Sequence, residues 1–504
     1  MNAIGETSRS LWMEAGFHEG VPLVGDLEVD VVVVGAGIAG LSTAYEFLQL
    51  GQRIAVVEAG VIGGGMTART SAHLSYEFDD FYDELIRLRG EDEARQYFAS
   101  QKAAVDRIEE IAARERIDCD FARLDGYLFA PSPGDNDLIQ KELEAARRVG
   151  FDTVALLETL PAQATGQALR FPRQARFHPL KYLSGLAGAL KPGGVALHDR
   201  TRITSVTEKG GGVTLETAGG ETIRARVAVI ATNSPVNDLM AIHTKQAPYR
   251  SYVFAAPVAK GQVADALLWD TEDPYHYVRL QPREKDDLLI VGGADHKSGM
   301  AQDGEGRIAA LYGWADRLFG PLGAIEYAWS GQVYEPVDAV PFIGRNPGND
   351  NVYVITGDSG EGLTTGVAGA MIIGQLATQG ECPWAAVYQP SRKSLMALDE
   401  FVKENAGVAK DMAEHLTAGE VPNVADIPRD SGALVRLNGQ KVAAYRDKED
   451  QLHLVSATCT HAGCVVHFNA FERCWDCPCH GSQFGIDGQV LAGPALKPLP
   501  PHRT

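Results

Sequence analysis

Cysteine is scarce in this 504-residue chain, and it is unevenly spread. Only Cys119 and Cys382 precede residue 450; the other five of the seven stand at 459, 464, 474, 477 and 479. So thin a supply excludes a disulfide-stapled scaffold for the bulk of the chain. Positive charge is also short: 46 Lys and Arg face 66 Asp and Glu, a net charge of −20. That balance argues against a nucleic-acid partner, because phosphate binding needs a basic face. The acidic surface serves solubility or steers a basic protein partner. Long apolar runs are missing as well. The longest, such as "VDVVVVGAG", are strand-sized, so no membrane span is expected. The opening "MNAIGETSRSLWMEAG" lacks a basic stretch followed by an apolar one, so no secretory signal is expected either. These absences predict a soluble cytoplasmic protein with reduced thiols, in which clustered cysteines bind metal.

What is present is a folded chain, 45% hydrophobic and 22% charged, too long for one core and sized for two or three domains. Asp30 to Gly60 reads "DVVVVGAGIAGLSTAYEFLQLGQRIAVVEAG". Val31–Val34 is a β-branched run, as in a buried parallel strand. Gly35, Gly37 and Gly40 give G-x-G-x-x-G, and Leu41, Ala44, Tyr45 and Leu48 follow at helical spacing. Ile54–Val57 is a second strand that ends in Glu58. Such a βαβ unit seats a dinucleotide: glycines let the backbone approach a pyrophosphate, the helix N-terminus faces its charge, and the acid holds a ribose hydroxyl. The motif alone does not separate FAD from NAD.

Two later segments favour FAD. "TRITSVTEKGGGVTLETAGGETIRARVAVIATNSP" reads as a three-stranded meander closing on the apolar strand Val227–Ala231. "NVYVITGDSGEGLTTGVAGAMIIGQLA" reads as a strand, Val352–Ile355, then a Gly-rich turn, then a helix from about Thr365. A second helix N-terminus aimed at the cofactor suits a flavin, whose pyrimidine ring is negative when reduced.

With "GGGMTARTSAHLS" and "YEPVDAVPFIG" added, the segment from about Val29 to Gln379 resembles the D-amino-acid-oxidase-type FAD-dependent oxidoreductases. The resemblance implies an α/β architecture, a Rossmann-like FAD domain interleaved with an α+β substrate domain. It implies hydride removal from a carbon bearing nitrogen or, less often, oxygen. By motif position Gly35, Gly37, Gly40 and Glu58 hold the AMP side and pyrophosphate, and Ile203 offers backbone to the adenine. Thr67, Thr70 and Ser71 lie beside the flavin, and Gly357, Gly360, Gly362, Leu363 and Thr364 cradle its pyrimidine. Arg69 stands where some relatives carry a His that bonds the flavin, so FAD is expected to be non-covalent, with His73 four residues on.

Past residue 390 the pattern changes. "SLMALDEFVKENAGVAKDMAEHL" is helical and charged, and "TAGEVPNVADIP" is punctuated by Pro and Gly. The expected division is an extension over 1–28, the FAD-dependent domain over 29–390, a helical linker over 391–425 and a last domain over 426–504.

That last domain opens with short alternating strands and then gives "CTHAGC" and "CPCHGS". Cys459-x-His461 and Cys477-x-x-His480 suit a [2Fe-2S] cluster with two cysteines on one iron and two histidines on the other. Neutral imidazoles carry less negative charge than thiolates, so potentials run from about −150 to +300 mV, against about −400 mV for plant-type four-cysteine clusters. Cys459, Cys464, Cys474 and Cys477 offer zinc-like spacings instead, but that choice leaves both histidines idle. The segment resembles the all-β Rieske domain in its high-potential form. The resemblance implies a Cys464–Cys479 disulfide and a covering loop at "GPALKP", with Cys474 a spare thiol.

Two redox centres in one chain predict a dehydrogenase for a small amine, amino acid or 2-hydroxy acid, its electrons leaving FAD singly through the cluster. The expected partners are the small-molecule substrate and a one-electron acceptor, a protein or a quinone. An O2-using oxidase with the Rieske domain as docking or sensing module, or an electron-transfer subunit, are the alternatives. A cluster oxygenase needs a mononuclear iron site after the cluster segment, and only 24 residues follow His480. "DPYHYVRLQP" reads as a strand with Tyr275, Tyr277 and Arg279 on one face and His276 on the other. Arg279 is the candidate clamp for a substrate carboxylate. His276, Tyr252, Tyr334 and "ADHKSG" are further catalytic candidates.

Overall fold

The computed structural model describes residues 5–160, 166–237, 242–393, 411 and 414–502. The run Val31–Val34 is apolar on both faces, and it lies where both faces are covered. It ends β1 (Leu27–Val34), which pairs in parallel with β2 (Ile54–Val57) on one side and with Thr222–Ile230 on the other. α1 (Ile38–Gln49) connects β1 to β2. Ala196–His198 and Val352–Thr356 extend the parallel order outward, and Phe342–Arg345 closes one edge antiparallel. The expected meander is present as Ile203–Lys209, Gly212–Thr217 and Thr222–Ile230. The helix after the Gly-rich turn begins at Gly362, about a turn earlier than its apolar pattern implies, and runs to Gln379.

A second, nine-stranded sheet is built from segments that alternate along the chain with those of the first. Its long central strands are Gln246–Val258, His276–Pro282, Asp287–Lys297 and Tyr327–Pro336. The C-terminal domain is all-β. Three strands, Ser431–Leu437, Gln440–Arg446 and Leu452–Ser456, form one sheet, and four short ones between His467 and Ala492 form another. Most of the expected linker helix, 394–410 and 412–413, lies outside the described residues. From Glu420 the chain already pads the first C-terminal strand, its N–H donating to the Leu434 carbonyl at 2.7 Å.

The N-terminal segment is more than an extension. Glu6, Ser10 and Trp12 are buried. The Trp12 indole N–H donates to the Thr70 carbonyl at 2.7 Å, and Ser8 bonds to Glu472 of the C-terminal domain. Among the described residues, no helix is long and apolar enough to cross a membrane.

Candidate functional site

A long cavity starts at the C-terminal end of β1 and runs to the second sheet. Gly35, Gly37, Glu58, Thr67, Thr70, Ser71, Ile203, Gly360, Gly362, Leu363 and Thr364 all line it. Gly40 and Gly357 do not. A side chain on Gly40 would meet the Gly35 carbonyl, and one on Gly357 would meet Pro336, so both serve close packing. At the nucleotide end the Glu58 carboxylate accepts the N–H groups of Ala36 at 2.9 Å and Gly60 at 2.8 Å. Burial pushes its pKa up despite those bonds. Gly37 lines the cavity with bare backbone, and a Cβ there would crowd only Thr67 Oγ1, at 3.1 Å. This bare backbone at a helix N-terminus fits the pyrophosphate of FAD.

The far end of the cavity is acidic. Glu77, Asp79, Asp80, Asp295 and Glu361 line it beside Tyr275 and Tyr277. The Tyr275 hydroxyl donates to Asp79 Oδ2 at 2.6 Å, and Tyr277 shares a 2.6 Å hydrogen bond with Ser251. Gly360 has φ +84°, and a Cβ there would lie 2.8 Å from Asp79 Oδ2, so the Gly-rich turn presses directly on this group. Burial, then the neighbouring Asp80, pushes Asp79 up to about 8; burial raises Asp295 to about 6. His73 also lines the cavity, near Ser71 and the Val278 carbonyl, and burial followed by Arg279 drives its pKa down to about 3.

The four catalytic candidates lie behind this wall, none of them lining the cavity. Arg279 is 1% exposed; it donates to the carbonyls of Ala72, Phe177 and Leu280 and to Gln281, and it sits over the Trp12 ring. His276 bonds Asp270 at 2.8 Å and stacks on Trp314. Tyr252 bonds His296. Tyr334 reaches the other way, donating to the His480 carbonyl at 3.3 Å. The acids grouped at the far end of the cavity come from "YEFDD", the "ADHKSG" candidate segment and the Gly-rich turn, and only the tertiary fold joins them.

The cysteine-rich segment makes two matching loops. The Cys459 backbone carbonyl accepts the Gly463 N–H at 3.0 Å, and the Cys477 carbonyl accepts the Gly481 N–H at 3.0 Å. Cys464 and Cys479 form a disulfide that ties them together. The thiols of Cys459 and Cys477 stay free and buried. The His461 and His480 rings meet edge to face, 5.0 Å between centroids. His480 Nδ1 is buried without a hydrogen-bond partner. Two thiols, two imidazoles and an orphaned ring nitrogen fit a [2Fe-2S] cluster. The disulfide withdraws Cys464 from any four-cysteine zinc site. Cys474 is a buried thiol, 3.4 Å from Asp476 Oδ1.

The two sites share walls. Leu491, Ala492, Gly493 and Leu496 of the C-terminal domain line the flavin cavity. Gln332 lines it too and donates its side-chain N–H to the Gly481 carbonyl at 2.9 Å. The His243 ring packs against both the His461 and His480 rings, centroids 5.0 and 5.8 Å away. Beneath this lies a buried ionic group. Arg69 pairs with Glu6 at 2.8 Å and Glu472 at 3.1 Å, and Arg250 pairs with Glu6 at 3.0 Å and Asp476 at 3.1 Å. With three acids against two arginines, burial raises Glu6, while Arg69 and Arg250 hold Glu472 below its ordinary value despite burial.

A flavin-type dinucleotide cavity joined to a two-cysteine, two-histidine site defines a two-centre redox protein. Residues 30–376 match the FAD dependent oxidoreductase family and residues 418–503 the Rieske [2Fe-2S] domain; the chain belongs to that oxidoreductase family and carries a C-terminal Rieske domain. It is similar to YhfW of Bacillus subtilis (strain 168), a protein named for a Rieske 2Fe-2S centre: 34% identical over 482 residues, 94% of this chain and 93% of that one. It is 26% identical to the gamma-glutamylputrescine oxidoreductase of Escherichia coli (strain K12) over 68% of this chain and 82% of the relative. The solved glycine oxidase of Geobacillus kaustophilus has the same fold over 73% of this chain and 99% of its own, with TM-score 0.61 and 20% identity. The protein is thus an FAD-dependent oxidoreductase with a Rieske [2Fe-2S] centre.

Proposed function

We propose that the enzyme is a dehydrogenase that oxidises a small nitrogen-bearing substrate and releases the electrons singly through its Rieske domain to a one-electron acceptor, a protein or quinone. FAD, when bound, supplies the two-electron acceptor for hydride, and the [2Fe-2S] cluster supplies a one-electron carrier. The observation that carries the reading is the inward-facing cluster loop: His461 and His480 pack against His243, and Gln332 spans from the flavin cavity to Gly481. A docking or sensing module would instead present both histidines fully to solvent, yet His480 is only 3% exposed and His461 is only partly exposed.

The residues around the cavity serve the chemistry by position and charge. As a C–H bond beside nitrogen gives up hydride, the nitrogen lone pair forms C=N and one N–H proton must leave. Asp79, raised by burial and held by Tyr275, is the group assigned to take that proton. Tyr275 and Tyr277 wall the reacting carbon, and the surrounding apolar sheet excludes water. Anaerobic mixing with a reducing amine tests the reading. Flavin bleaching followed by loss of the oxidised cluster spectrum supports it. Rapid peroxide formation in air with a spectrally inert cluster supports the oxidase instead.

A further inference from the structure

The reading of a nitrogen-bearing substrate leaves its class open, and the far lobe of the cavity narrows it. Glu77 is 3% exposed, lines the lobe, and has a buried Oε1 with no hydrogen-bond partner. An orphaned, buried carboxylate oxygen is costly unless a ligand completes it. Asp79, Asp80, Asp295 and Glu361 share the same space. Among the described residues the cavity lining holds two arginines, and both are committed. Arg69 is fully buried between Glu6 and Glu472, while Arg202 donates to the Val490 carbonyl near the Glu58 end. The buried His73 is held neutral. Arg279, the one strong candidate for a carboxylate clamp, spends its donors on backbone carbonyls and Gln281.

A substrate carboxylate would therefore enter with no cationic side chain to pair with. An ammonium would meet several acceptors and two tyrosine rings. We infer that this lobe binds the ammonium groups of a carboxylate-free amine, a diamine or polyamine, and excludes α-amino acids and 2-hydroxy acids. This rests on the proposed amine oxidation. Burial and mutual repulsion push the acids of the lobe up. A bound cation reverses that balance.

The test uses the purified holoenzyme, mixed anaerobically with putrescine or with ornithine, which is putrescine bearing an α-carboxylate. Butylamine lacks the second ammonium, and lactate stands for the hydroxy acids. Flavin bleaching at varied concentration gives a saturation constant and a limiting rate for each. Putrescine should bleach the flavin with an efficiency at least about tenfold above ornithine, equivalent to about 1.4 kcal/mol. Lactate should not bleach it. Glu77→Gln should raise the saturation constant for putrescine about tenfold and that for butylamine far less. Ornithine matching or exceeding putrescine would overturn the inference and leave amine oxidation standing. A Glu77→Gln variant that binds both amines as the wild type does would also overturn it. Failure of every amine to reduce the flavin would overturn the proposed function itself.

Discussion

Arg69 of the flavin-side turn and Glu472 of the Rieske domain form an ion pair at 3.1 Å in which neither side chain reaches solvent. Glu6, from the N-terminus, closes the pair from the other side at 2.8 Å. Three stretches of chain, around residues 6, 69 and 472, meet through one guanidinium. Removing one partner of a buried pair leaves an uncompensated charge and costs about 3–5 kcal/mol. Arg69→Met should therefore destabilise the protein by about that much, measured by urea unfolding. Flavin and cluster signals should be lost closer together in the wild type than in the variant. A loss below about 1 kcal/mol would mean that the pair adds nothing beyond a surface bridge.

The same pairing bears on how the flavin is held. With Arg69 turned into the domain interface, the slot that in some relatives bonds the flavin offers no nucleophile. Acid precipitation should release FAD into the supernatant and leave a colourless pellet. Yellow colour on the pelleted chain would point to His73, whose ring lines the cavity.

Asp79 gives the fold a pH signature. Its pKa is raised from 3.8 to about 8 in the folded protein. The folded state thus holds a proton that the unfolded chain gives up near 3.8, and stability is lost as pH rises between those values, by at most about 1.4 kcal/mol per unit. Asp79→Asn cannot ionise. Without substrate, it should match the wild type near pH 4 and become progressively more stable than it up to about pH 8. Thermal melts across that range measure the difference. A constant offset at every pH would show that Asp79 is not desolvated.

Features written in consecutive residues were legible from the sequence. The βαβ unit needs only β-branched runs, spaced glycines and a terminal acid, and β1, α1 and β2 fall within it. The Rieske domain was legible because Cys-x-His and Cys-x-x-His spacings encode their own loops. Strand alternation correctly paired Tyr275 with Tyr277, and both line the cavity. It could not say how deep each position lies: Arg279 is two residues, roughly 7 Å, further along and already under Trp12. The role of Glu6 was hidden, because its partners are Arg69 and Arg250. The acidic lobe was hidden for the same reason, since Asp79, Asp295 and Glu361 meet only when both sheets are assembled.

The central claim is that electrons leave through the cluster, and His480→Cys tests it most directly. A thiolate in place of the imidazole adds negative charge beside the iron and lowers the potential of a cluster that survives. About 60 mV in a one-electron couple is a tenfold change, well inside the gap between Rieske and all-cysteine clusters. Stopped-flow flavin bleaching by substrate and steady turnover with a one-electron acceptor are measured on the same variant. Bleaching should stay close to the wild-type rate, because none of Cys459, His461, Cys477 and His480 lines the cavity. Turnover should fall at least about tenfold, the drop that 60 mV brings. Turnover that survives intact while the cluster is lost or lowered in potential would contradict the account and leave a self-sufficient flavin oxidase.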